Sequence, residues 1–165
     1  MQNKTSNLVD AYKKCELEKE VGLGIYALSA IIVDKAEPSE ALKANVAWSL
    51  GLENPQYLLS SLQLKNFRKR APIQEELDVK GEKGAYFVCD EFSLYGETEK
   101  KWMILADVNK NHSALFELAN KIKATPDLMQ VIQDDISAGT QRLVALTAAA
   151  DGMQQTADSR RNARH

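Results

Sequence analysis

The chain is poor in the residues on which most enzymes rely. It has two histidines, His112 and the terminal His165, and two cysteines, Cys15 and Cys89. No C-x-x-C pair occurs, which excludes a zinc ribbon or a thioredoxin-like redox site. There is no H-E-x-x-H, no G-x-S-x-G and no G-x-x-x-x-G-K-[ST] run, so the common metalloprotease, hydrolase and nucleotide-binding signatures are missing. The acid pairs Asp90-Glu91 and Asp134-Asp135 consist of sequence neighbours, which share neither a helix face nor a strand face. We therefore expect no enzyme, no cofactor and no metal site. The uncharged run Val21–Val33 is bracketed by Glu20 and Asp34 and falls short of the roughly 20 apolar residues that cross a bilayer, so no membrane is expected. The start, MQNKTSNLVD, lacks a basic segment followed by an apolar core, and with free thiols the expected location is cytoplasmic. A formal net charge of -2 excludes a generally basic nucleic-acid coat, so any such contact must be local.

What is present is a globular composition, with 44% hydrophobic and 27% charged residues over 165 positions. The glycines of Gly22-Leu23-Gly24-Ile25-Tyr26-Ala27 match a phosphate-binding pattern. The charged segment before them does not read as the strand that pattern needs. They read instead as a break between a first helix over 6–20 and a second over about 24–35. Leu42, Val46 and Leu50 recur every four residues and predict a helix over 39–50, ended by Gly51. Asn54 and Pro55 then open a helix reaching about Arg70. AYFVCDEFSLY and KWMILADV, joined by GETEK, predict a β-hairpin over 85–95 and 101–108. A short helix follows over 112–123. The fold class expected is thus α+β and mainly helical, with a helical N-terminal half, one β-hairpin and a long C-terminal helix.

The segment from Val46 to Leu62, VAWSLGLENPQYLLSSL, has the features of a helix-turn-helix. Ala47 is small, Gly51 sits at the turn, Leu52 follows it, and Tyr57, Leu58 and Leu62 serve as anchors. It resembles the second helix-turn-helix of AraC-type transcription regulators, which share the glycine turn, the Asn-Pro and the following tyrosine. The apolar anchors depart from that family in being leucines, and RAPIQEEL does not match its downstream glycine-proline segment in register. The resemblance implies binding of double-stranded DNA, with Gln56 and Ser60 facing bases. Lys65, Arg68, Lys69 and Arg70, at the end of the same predicted helix, would lie on phosphates.

Thr125-Pro126-Asp127 is a helix start. Beyond it Met129, Ile132, Ile136, Gly139, Leu143, Leu146, Ala150 and Met153 alternate by three and four, the spacing of a heptad seam. The seam either packs within the monomer or joins two copies through Ile132, Ile136, Leu143 and Leu146. The organisation expected is a domain over 1–123, a long helix over 126–153 and a basic tail over 154–165. Two functions compete. One is a small DNA-binding regulator that acts as a homodimer. The other is a partner-binding adaptor or oligomeric interaction protein with no nucleic-acid contact.

Overall fold

The computed structural model describes residues 8–28 and 43–149. They fall into two units that divide between Thr125 and Pro126. The first unit is built on sheet. A 3-10 turn over Leu8–Tyr12 leads into β1 (Lys13–Glu18), followed by β2 (Leu23–Leu28), β3 (Ala44–Leu50), β4 (Gln56–Ser60), the short α1 (Leu64–Arg68), β5 (Asp78–Lys80), β6 (Gly84–Cys89), β7 (Met103–Lys110) and α2 (His112–Ala124). Five strands form an antiparallel sheet in the order β5-β1-β2-β3-β7, and β4 pairs with β6 in a second sheet. The second unit's described residues centre on α3 (Leu128–Ala149).

The side-chain period of two decides what each face of the large sheet meets. Along β3, Val46 and Trp48 point to the face covered by α2, where they pack with Leu23, Ile25, Leu105, Leu115, Leu118 and Ile122. Ala47 and Ser49 point to the other face and are also buried. A central strand covered on both sides reads as a continuous apolar run, not as an alternation.

The second face is shaped by the opening glycines. In β1 and β2, Cys15 lies opposite Tyr26 and Leu17 opposite Gly24. The small sheet brings Tyr57 and Tyr86 onto this surface, with ring centroids 5.8 Å apart. A Cβ on Gly22 would stand 2.2 Å from the Tyr57 hydroxyl, and one on Gly24 2.9 Å from the Tyr86 ring. Gly22 also adopts φ 62° at the β1–β2 turn, a left-handed conformation that suits glycine. The Tyr86 hydroxyl donates to the Gly22 carbonyl at 2.6 Å. The glycines therefore make room for aromatic rings between two sheets.

These observations correct the expected fold class. The protein is α+β with about as much strand as helix, and the described residues of its N-terminal half are mainly strand. Within the helix expected over 6–20, residues 8–18 are a 3-10 turn and β1, and residues 24–28 of the next expected helix lie in β2, residues 6–7 and 29–35 lying outside the described residues. The helix expected over 39–50 is β3 from Ala44 onward. A spacing of four fits both periods, and Trp48, two residues after Val46, resolves it in favour of strand. The helix expected over 55–70 is β4, a turn and the five-residue α1. The expected hairpin strands both form, yet they belong to different sheets, β6 pairing with β4 and β7 with β3. The short helix and the long C-terminal helix do form, at His112–Ala124 and Leu128–Ala149. The tail over 154–165, with Ala150 and Met153, lies outside the described residues.

Candidate interaction surfaces

The helix-turn-helix geometry is absent from 46–62, because both of its expected helices are strands. Gln56 is exposed at the start of β4, but Ser60 is only 1% exposed and cannot face a base. Its hydroxyl donates to Glu76 Oε1 at 3.1 Å. Glu76 Oε2 also accepts the backbone N–H groups of Leu59 and Ser60, each at 2.8 Å. The carboxylate thereby satisfies the end of a buried strand, where unpaired donors are costly.

The same carboxylate closes a loop. Gln63 Nε2 donates to Glu76 Oε1 at 2.9 Å and to the Gln74 carbonyl at 2.8 Å, and the Gln74 N–H donates to Gln63 Oε1 at 2.8 Å. The loop so tied presents α1. Its helix ends in a Schellman arrangement, in which the Ala71 N–H reaches the Asn66 carbonyl and the Arg70 N–H reaches the Phe67 carbonyl. Arg70 sits at φ 57°, where glycine is usual. Lys65, Arg68, Lys69 and Arg70 are all exposed at this tip. None makes an ion pair among the described residues. Phe67, which the sequence reading passed over, is 53% exposed in their midst; an aromatic set between cations was the available signal.

A second surface follows β6. Phe92, Leu94, Tyr95, Trp102 and Ile104 are exposed, with the Phe92 and Trp102 rings 6.2 Å apart. Lys100 lies over the Phe92 ring and pairs with Glu53 at 2.7 Å. Asp90 is occupied within this loop, accepting the backbone N–H groups of Glu53 and Glu91. The patch leads into β7, an edge strand of the large sheet. Against the other face of the fold, a groove of about 420 Å³ separates α2 from β1 and β2, lined by Leu23, Ile25, Ala27, Leu115, Phe116 and Ala119, with Lys14, Glu16, Lys43 and His112.

In the second unit, α3 carries the predicted seam. Ile132 is partly buried, whereas Ile136, Leu143 and Leu146 are 53%, 65% and 69% exposed. Gly139, between them, has nothing within 4 Å of where a Cβ would stand. Asp134 accepts from Gln130 Nε2 one turn earlier.

Several buried groups titrate abnormally for structural reasons. Burial pushes the hydroxyls of Tyr26, Tyr57 and Tyr86 above the usual tyrosine range, and pushes the Cys15 thiol up as well. The Tyr26 hydroxyl and the Trp48 indole N–H have no hydrogen-bond partner among the described residues. No group of His, Cys, Asp and Glu among those residues is arranged to hold a metal ion. No helix among them is long and apolar enough to cross a membrane. No protein-family model matches the chain, and no curated protein matches it.

Proposed function

We propose that the protein is a non-enzymatic interaction module whose copies associate through α3. The observation that carries this reading is the exposed seam of Ile136, Leu143 and Leu146 on a 22-residue helix. Such a helix, about 33 Å long at 1.5 Å per residue, draws most of its stability from packing an apolar face. Two copies meeting along the seam would bury six of these side chains. At about 1.5 kcal/mol each they contribute about 9 kcal/mol, which is of the size of the association cost. The bare Gly139 position lets the helices approach closely, adding contact. Sedimentation equilibrium of the wild type and of Ile136→Asp tests the reading. The wild type is expected to dimerise or assemble further, and the variant to sediment as monomer at the same concentration.

A second reading, nucleic-acid binding, is favoured by one specific observation. Lys65, Arg68, Lys69 and Arg70 are exposed together and carry no compensating carboxylate among the described residues. Cations left in this state are suited to phosphates. The contact would be to the backbone, since β4 offers no recognition helix. Binding of a labelled DNA duplex across a salt series tests it, with Arg68→Ala/Lys69→Ala/Arg70→Ala as the comparison; binding unaffected by salt or by the triple substitution would remove it.

A further inference from the structure

We propose that the loop tip over 65–70 docks single-stranded nucleic acid, with bases stacked on Phe67 and phosphates held by Lys65, Arg68, Lys69 and Arg70; this rests on the second reading above and names its ligand. Three observations converge. First, residues 61–74 include four cations and no carboxylate. The two acids that follow are committed elsewhere: Glu75 pairs with Lys19 at 2.8 Å, and Glu76 accepts from Leu59, Ser60 and Gln63. The positive charge at the tip therefore stays uncompensated. Second, Phe67 is 53% exposed among those cations. Cations at a helix end are explained by the helix dipole alone, but an exposed ring between them is not. A ring next to phosphate-binding groups is the combination that binds single strands, since every base offers a face to stack on. Third, the tip is held in place from below by the paired Gln63 and Gln74 and by Glu76.

The same geometry disfavours duplex. α1 has only five residues, about 7.5 Å of helix, too little to lie along a groove. In a duplex the base faces are already stacked on one another and leave Phe67 without a partner. An acidic protein segment would engage the cations and leave the ring unused.

Anisotropy of a labelled 15-nucleotide oligothymidine, titrated with the full chain at several salt concentrations, tests the proposal. Wild type is expected to bind with an affinity falling steeply with salt, by a log–log slope of roughly -3 for four phosphates. Phe67→Ala is expected to weaken binding about 10- to 100-fold, leaving the slope unchanged. The triple substitution Arg68→Ala/Lys69→Ala/Arg70→Ala is expected to shrink the slope by about 2. All these residues are exposed, so far-UV circular dichroism of each variant should match the wild type. An unchanged affinity in Phe67→Ala, or a duplex of equal length binding as tightly as the single strand, would overturn the proposal and leave the second reading standing if the triple substitution still reduced the salt slope. Binding of polyglutamate with none to either nucleic acid would overturn both.

Discussion

Substitution of Gly22 by alanine probes how the two sheets fit together. The new Cβ would stand 2.2 Å from the Tyr57 hydroxyl and 2.3 Å from the adjacent ring carbon, at a backbone φ of 62°. A left-handed conformation costs a residue other than glycine about 1–2 kcal/mol. The clash is with the ring of a residue only 8% exposed. Moving that ring forfeits part of its burial, about 1.5–3 kcal/mol, and its packing on Tyr86, about 0.5–1.5 kcal/mol. The expected loss is therefore about 3–6 kcal/mol, a large part of the roughly 5–15 kcal/mol that stabilises an ordinary domain. Gly81→Ala is the control. Its φ is 73° but nothing lies within 4 Å of its Cβ position, so only the backbone cost of about 1–2 kcal/mol applies. Urea unfolding followed by circular dichroism and tryptophan fluorescence gives both values. If Gly22→Ala costs no more than Gly81→Ala, the inter-sheet packing described here is wrong.

Three further outcomes are expected. Glu76→Ala leaves the N–H groups of Leu59 and Ser60 without their acceptor at residues 0% and 1% exposed; at about 1–3 kcal/mol for each orphaned donor, urea unfolding should show a loss of about 2–6 kcal/mol, and a change below about 0.5 would contradict the assigned role. The raised pKa values of Tyr26, Tyr57 and Tyr86 mean that the folded state keeps protons the unfolded state has released. Stability should hold below the ordinary tyrosine pKa of about 10 and fall above it, by up to about 1.4 kcal/mol per pH unit for each tyrosine; in an alkaline titration read at the tyrosinate absorbance, these three should ionise only as circular dichroism reports unfolding. Tyr26→Phe removes a buried hydroxyl without a partner, so it should leave stability unchanged or raise it by about 1 kcal/mol, measured by thermal unfolding.

The legible part of the fold was its C-terminal end. α2 and α3 form where the sequence places a short helix and a long one, and Asn111 caps α2 by accepting the Ala114 N–H. The N-terminal half misled because its strands are covered on two faces. Ala44, Val46, Trp48 and Leu50 face α2 while Ala47 and Ser49 face the small sheet, so the alternation that marks a half-exposed strand is erased. Asn54-Pro55 has the form of a helix start, but a fixed proline φ also suits entry into a strand. The aromatic and β-favouring residues of 85–95 and 101–108 indicate strands, and strands form at Gly84–Cys89 and Met103–Lys110. Their partners were not legible, since pairing with β4 and β3 is set by residues distant in sequence. The basic cluster and the α3 seam were visible as residue types. The closed loop that presents the first was not, because Glu76 and Gln63 announce nothing until the strand end they satisfy is known.

The most direct test of the account is the mass of the protein in solution. Sedimentation equilibrium over a concentration range, on wild type and on Leu143→Asp, asks whether the exposed seam of α3 joins copies of the chain. The account predicts a wild type whose mean mass rises with concentration and a variant that remains a folded monomer of 18.4 kDa. A wild type that is monomeric throughout, or a variant that assembles as the wild type does, would contradict it.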